Sequence, residues 1–153
     1  MTVAARVYTA PIDFVSFGGT SDRSLWELKA PADRQIIFHA FSVTSAQGAV
    51  APEVARLVLA RYSTDGTGTA VTEVKTNGDN SLAPEGTLIH SVTPGTPGDV
   101  LKAWLWSQQG ELLYLPTPEI REVIPAGGRL ALNLVTALAA ARNWSGWISW
   151  EEV

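Results

Sequence analysis

The sequence predicts an all-β protein, namely a single-domain antiparallel β-sandwich with about eight strands and a short helix or none. Three observations predict this class. Apolar residues recur with a period of two along most of the chain. Gly, Pro, Asn and Asp interrupt these runs roughly every ten residues, as in sandwiches and barrels. The C-terminal segment, residues 118–153, combines a turn signal with two strand patterns.

That C-terminal segment is the most informative part of the chain. Residues 125–128 read Pro-Ala-Gly-Gly and separate a short strand from the alternating run 129–136, whose leucines share one face. This pattern predicts a hairpin. Residues 143–151 carry three tryptophans and predict a final strand that closes the sheet.

In the rest of the chain, strand patterns are likewise separated by segments rich in turn residues. Residues 35–45 are apolar on both faces, which predicts a central strand covered on both sides. Residues 76–86 and 93–98 are rich in Gly, Pro, Asn and Thr and predict loops. Residues 136–142 are too short for a stable helix and predict a crossover. The remaining predicted strands cover 24–29, 54–63, an edge strand at 70–75, 87–92, 101–107 and 111–115.

Composition limits the classes of function. The 153 residues are 46% hydrophobic and only 17% charged, against about 25% charged in ordinary soluble domains. Some apolar surface is therefore expected to contact partners. The net charge of −4 argues against nucleic-acid binding. The chain has no cysteine, and neither a membrane span nor a signal-peptide core is evident, so we expect a protein outside membranes without an export signal.

No residue pattern indicates catalysis, a cofactor or a metal. His39 and His90 lack the nearby second ligand that a metal motif requires. A Ser-His-Asp triad stays open, because its members need not be close in sequence, but no Gly-x-Ser-x-Gly elbow is present. Glu111, Glu119 and Glu122 could supply paired carboxylates, yet they border prolines and turns. We predict that the chain is not an enzyme.

The six tryptophans are the one compositional excess that could carry function. Trp26, Trp150 and one of the pair at 104 and 106 are expected in the interior, because aromatic residues dominate core burial. Trp147 lies on the opposite face of the last strand and is expected to contact a protein or a sugar ring. The predicted interface residues are Trp147, Trp104, Trp106, Tyr8 and Phe14.

The order of strands and turns from residue 24 to residue 151 resembles the cement, or decoration, proteins of tailed bacteriophage heads. The resemblance depends on residues 36–43, on residues 54–61 and on residues 123–134 with the tryptophan-rich closing strand. It implies a homotrimer or homodimer, made in the host cytoplasm, that binds the major capsid protein on the outer surface of the virion. It also implies no cofactor, no nucleic-acid binding and no membrane.

Residues 1–20 fall outside this pattern, whereas residues 21–153 form the predicted jelly-roll domain. Residues 6–15 read as an extended arm that could add a strand to a neighbour. The alternative function is a carbohydrate-binding jelly roll of a phage or bacterial adhesion protein, with exposed tryptophans stacked on sugars. A cupin-like enzyme would need clustered histidines, and the two separate histidines argue against it.

Overall fold

The computed structural model describes residues 6–17, 23–46, 53–76, 82–107, 109–136 and 138–153, which form two antiparallel β-sheets packed face to face. In chain order the strands are β1 (Arg6–Phe17), β2 (Arg23–Lys29), β3 (Ile36–Ser45), β4 (Val54–Tyr62), β5 (Thr67–Ala70), β6 (Val74–Lys75), β7 (Thr87–Thr93), β8 (Pro97–Ser107), β9 (Leu112–Tyr114), β10 (Val123–Ile124), β11 (Arg129–Leu134) and β12 (Arg142–Glu152). Eight of these strands have six or more residues. Within the described ranges the one helical segment is a 3-10 turn, Pro118–Ile120. The predicted all-β class is confirmed.

The strands pair in the nested order of a jelly roll. β1 pairs with β12, β2 with β11, β3 with β9 and β10, and β4 with β8. Strands β1 to β4 alternate between the two sheets, and their partners return in the reverse order. One sheet runs β10-β3-β12-β1-β6, with β9 also on β3, and the other runs β5-β7-β2-β11-β4-β8. This rolled arrangement brings distant parts of the chain together.

The hydrophobic core lies between the inner faces of the two sheets. Side chains alternate between faces along a strand, so β4 places Leu57 and Leu59 inward, and β11 does the same with its leucines. Aromatic rings fill the centre, where Trp26 stacks on Phe38 with ring centroids 5.5 Å apart. Such pairs add about 0.5–1.5 kcal/mol beyond the burial of their area.

The N-terminal segment is a strand of the domain and not an arm. β1 lies between β12 and β6 in the sheet order, and its Tyr8, Ala10 and Ile12 are buried in the core. The prediction of an arm over residues 1–20 was therefore wrong for residues 6–17, and the rest of that range lies outside the described residues. The segment joins the sheet because its backbone pairs with β12 while its alternating apolar side chains are buried in the core.

The turn at residues 125–128 does not join a hairpin. β10 belongs to one sheet and β11 to the other, so the predicted hairpin was wrong. The Gly127 N–H donates to the carbonyl of Pro31 at 2.7 Å, and the Ala30 N–H donates to the carbonyl of Gly128 at 2.9 Å. The turn is thus anchored on the chain that follows β2. Local turn residues cannot distinguish a hairpin from a turn that connects two sheets, because the difference depends on which strands β10 and β11 pair with.

Most other predicted strands are present within a few residues of their expected bounds. The exceptions lie between residues 67 and 98. The predicted edge strand at 70–75 is replaced by β5 and β6, which lie at the edges of different sheets. The predicted loop at 93–98 ends early, because β8 begins at Pro97. Within the predicted loop at 76–86 and the crossover at 136–142, residues 77–81 and 137 lie outside the described residues.

Candidate functional site

The two histidines lie on strands of different sheets. His39 Nε2 is 3.4 Å from Glu151 Oε2, and burial together with Arg121 lowers the pKa of His39 although Glu151 opposes this. His90 Nδ1 is 2.9 Å from Ser91 Oγ, and burial lowers the pKa of His90. Both shifts favour the neutral imidazole. Among the described residues, no group of three or more His, Cys, Asp or Glu side chains is arranged to hold a metal ion.

The carboxylates at 111, 119 and 122 have local structural partners. Glu111 accepts a hydrogen bond from Ser42 Oγ at 2.7 Å, and Glu122 accepts one from the Tyr114 hydroxyl at 2.8 Å. Burial and this hydrogen bond to Glu122 raise the pKa of Tyr114. Glu119 is exposed, and hydrogen bonds from its own backbone and from a threonine lower its pKa. A carboxyl group that acts as a general acid needs a raised pKa, whereas the pKa of Glu119 is lowered.

Several predicted interface residues belong to the core. The Tyr8 ring is buried, and its hydroxyl donates to the carbonyl of Leu82 at 3.2 Å. Trp106 is buried, with Nε1 donating to the carbonyl of Gly110 at 2.8 Å. The interface prediction was wrong for Tyr8 and Trp106, because a side chain enclosed in its own core cannot contact a second protein. Trp104 is half-buried and packs against the core.

Trp147 lies on the outer face of β12, as the alternation of that strand predicted. It is half-buried and faces Pro11 of β1 on one side and Ser42 of β3 on the other. Ser42 in turn faces Leu113 of β9, so these side chains form one row across the sheet. Trp147 is therefore placed where a partner could cover it.

Phe14 lies where β1 bulges and has a φ of 51°, which is uncommon outside glycine. Its ring is 64% exposed, and its N–H donates to Ser145 Oγ, which donates to Asp13 Oδ1 at 2.8 Å. A cavity of about 220 Å³ adjoins the bulge, with Thr72 and His90 in its wall beside Asp13. Phe14 follows Asp13 in the chain but is not one of the residues that line the cavity.

The outer surface of β4 and β8 is apolar, and we call it the β4–β8 face. Its floor is buried and forms a second apolar cluster separate from the core. Its rim is exposed, and Leu105 at 78% is more exposed than any other large apolar side chain in the described ranges. The register places these side chains on one face across three neighbouring strands. The face consists of Val54, Val58, Ala60, Val100, Ala103, Leu105 and Ala131.

A second exposed apolar surface follows directly along the chain, and we call residues 111–123 the 111–123 edge. Its exposed side chains come from β9, from β10 and from the connection between them. They are Leu113, Leu115, Ile120 and Val123. Of the eleven large apolar side chains that are exposed in the described ranges, six lie between residues 100 and 123. Exposed apolar area is thus concentrated on these two surfaces.

A charged cluster lies on the outer face of β2. Glu27 is buried, and its Oε1 accepts a hydrogen bond from the Gly66 N–H at 3.1 Å. Burial raises the pKa of Glu27, although the Gly66 bond opposes the shift. Asp65 accepts hydrogen bonds from Arg129 and Lys29, which lower the pKa of Asp65 to about 2. These contacts attach the turn before β5 to the sheet.

Sequence reasoning missed the β4–β8 face. A signal was present in β4, where Val58 and Ala60 alternate with Leu57 and Leu59. Apolar residues on both sides of a strand indicate that both sides are covered. In the described ranges the other sheet covers the inner side, and on the outer side Val58 and Ala60 are buried as well, whereas Leu105 of the neighbouring β8 is exposed.

Comparisons with known proteins give no relative for this chain, since no family model, no curated protein and no solved structure matches it. Within the described ranges no helix has the length and apolar character that spanning a bilayer requires. The two apolar surfaces, the exposed ring of Phe14 and the cavity beside Asp13 are therefore the features on which a function can be argued.

Proposed function

We propose that this chain is a non-enzymatic structural protein that binds other protein subunits through its outer sheet surfaces. The exposure of Leu105 beside an apolar floor carries this proposal. Contiguous exposed apolar area on a small protein marks an interaction site, and its cost in water is offset once a partner covers it. The low fraction of charged residues agrees with surfaces of this kind.

The specific form we propose is capsid decoration, as the resemblance to cement proteins of tailed phages implies. The chain would be made in the host cytoplasm and would bind the major capsid protein on the outside of the head. A jelly roll without cysteines suits this role, because it folds without an oxidising compartment. Repetition on a symmetric shell would turn weak contacts into high avidity.

Immunogold electron microscopy tests this proposal. Antibodies to the purified chain would be applied to intact particles of the tailed phage whose genome encodes it, and label over the heads is expected. Label confined to the soluble fraction of lysed cells would overturn the proposal. Binding of purified protein to heads from a deletion phage should be lost with Leu105→Asp and retained with Val74→Asp, an exposed valine outside both surfaces.

The second candidate function is carbohydrate binding, and Phe14 is the observation that favours it. The exposed ring of Phe14 could stack on a sugar, and Asp13 and Thr72 in the cavity wall could accept hydrogen bonds from its hydroxyl groups. The tryptophans on which this alternative first depended contribute less, because Trp147 and Trp104 are half-buried. A glycan array with the wild type and Phe14→Ala tests it. Binding that is lost in the variant would support this function, and an array without any binding would contradict it.

A further inference from the structure

We infer that two copies of this chain join edge to edge, with β8 of one copy pairing antiparallel with β8 of the other. β8 is the last strand of its sheet, and none of the described strands pairs with its other side. This edge is distinct from the outer surface that we assign to a capsid subunit, because its binding groups are main-chain groups in the plane of the sheet. The two copies would therefore share one continuous sheet.

The two halves of β8 differ in their protection against pairing with another strand. Residues 97–101 contain Pro97 and Asp99, and the register with β4 shifts twice near them. Proline, charge and bulges are the devices that protect the edges of natural sheets. Residues 103–107 pair with β4 without a shift and contain neither proline nor a charged residue. This second half is the part of the edge that another strand can join.

The register shows which main-chain groups point out of this edge. The Val135 N–H donates to the Arg56 carbonyl at 2.9 Å, so the main-chain groups of Arg56 point toward β11. Along a strand these groups alternate in direction, and those of Leu57 therefore point toward its β8 partner, Trp104. Leu105 lies opposite Arg56, so its own N–H and C=O point away from β4.

Ala103 and Ser107 have the same orientation as Leu105, because each lies two residues away from it. All three residues are exposed. Of their outward main-chain groups in the described part of the chain, the Ser107 carbonyl accepts a hydrogen bond from the Gly110 N–H at 3.0 Å. Outward N–H and C=O groups at alternate residues match those of another extended strand.

A second copy fits this edge because residues 103–107 are self-complementary about a two-fold axis at Leu105. Antiparallel pairing about that axis places Leu105 opposite Leu105 of the second copy, and Ala103 opposite Ser107. Leu105 is 78% exposed, and the pairing brings two such side chains into lateral contact without placing like charges opposite each other. The contact is isologous, so it closes at two copies and uses the unprotected half of both edges.

The outer surface stays accessible in such a dimer. Side chains of directly opposite residues lie on the same side of an antiparallel sheet. The β4–β8 faces of the two copies would therefore adjoin each other on one side of the shared sheet, and a further protein could still cover them. Edge pairing and capsid binding are compatible for this reason.

Light scattering and sedimentation of the purified full-length chain give the first test. The wild type should approach twice its monomer mass of 16.4 kDa as concentration rises. Ala103→Pro removes an N–H that points away from β4, and proline is tolerated at such positions of edge strands. This variant should keep its urea midpoint while dimerisation weakens about tenfold or more, because each copy loses a main-chain hydrogen bond across the contact. Ala103→Ser keeps the N–H and should dimerise as the wild type does.

A cross-link tests the register, since the chain has no cysteine of its own. Leu105→Cys should form a disulfide-linked dimer under mild oxidation. Directly opposite, hydrogen-bonded residues of antiparallel strands have Cα atoms about 5.5 Å apart, which a disulfide can span. Val74→Cys is the matched control, because Val74 is an exposed valine on β6 of the other sheet. It should stay monomeric on a denaturing gel.

A wild type that stays monomeric at all concentrations would overturn the inference. So would an Ala103→Pro variant that dimerises as the wild type does, or equal cross-linking at positions 105 and 74. If Ala103→Pro fails to fold, the cross-link alone decides. None of these results would overturn the proposed function, because a monomer can still bind phage heads. Conversely, a dimer that never labels heads would keep the edge pairing and contradict capsid decoration.

Discussion

Gly146 of β12 lies so close to Ser42 of β3 that a Cβ atom at position 146 would overlap the Ser42 carbonyl oxygen. The two strands are paired over most of their length, and β12 is the only strand in the described ranges that joins β1 to β3. The flanking Trp144 and Ile148 are buried in the core. A residue without a side chain therefore sets how closely the central strands of this sheet approach each other.

Gly146→Ala should destabilise the protein by about 1–3 kcal/mol, because the added methyl group must push two central strands apart. Urea unfolding at pH 7 would measure this change. Gly110→Ala is the matched control, since a Cβ atom at Gly110 meets no atom closer than 3.8 Å. Equal midpoints for the two variants would show that the strands separate at no cost.

Removal of residues 1–17 should abolish the cooperative thermal transition. The truncation deletes β1, so it exposes one edge of β12 and removes Tyr8, Ala10 and Ile12 from the core. Far-UV circular dichroism with heating would measure the loss, and a truncation that stops after residue 5 keeps β1 whole as the control. A shortened chain that still melts cooperatively would show that β1 is dispensable, as an arm would be.

Trp150→Ala and Trp147→Ala should affect different properties. Trp150 is buried, so its truncation should cost about 3–5 kcal/mol of unfolding free energy. Trp147 is half-buried on the outer face, so its truncation should cost less stability and weaken binding to phage heads. Urea unfolding and binding to purified heads, measured on both variants, would separate these effects. A larger loss of stability for Trp147→Ala would assign that residue to the core.

Glu27 should make stability depend on pH. Because burial raises the pKa of Glu27 above 4.5 in the folded protein, the native state keeps a proton that the unfolded chain releases. The free energy of unfolding therefore falls as pH rises from 4.5 through the raised pKa. Glu27→Gln keeps an oxygen for the Gly66 N–H and removes the charge. Its unfolding free energy relative to the wild type should rise across this window and then level off.

Asp65→Asn is the control for that experiment, because the pKa of Asp65 is lowered whereas the pKa of Glu27 is raised. The pKa of Asp65 is lowered from 3.8 to about 2, so its contribution is present above pH 3.8 and is lost as pH falls through 2. Between pH 5 and pH 8 the difference between Asp65→Asn and the wild type should stay constant. Urea unfolding across that range would measure both variants. A flat profile for Glu27→Gln as well would refute the raised pKa of Glu27.

Predictions from the sequence were most accurate where the alternation within a single strand was enough to make them. The alternation of Leu130, Leu132 and Leu134 predicted the inner face of β11, and the spacing of Trp150 predicted its burial. They were less accurate for the surfaces that matter to function. Tyr8 and Trp106 were expected at an interface and lie in the core, whereas Leu105 was not singled out and is exposed.

The sequence by itself determined the all-β class, most strand positions and the inward side of the major strands, because period-two alternation and turn residues are local properties. The tertiary structure alone decided which strands pair. It placed β1 beside β12, made the turn at residues 125–128 connect one sheet to the other, and left Leu105 of β8 exposed. Pairing depends on contacts between residues far apart in the chain, such as Tyr8 with Trp150, and no local pattern specifies such a contact.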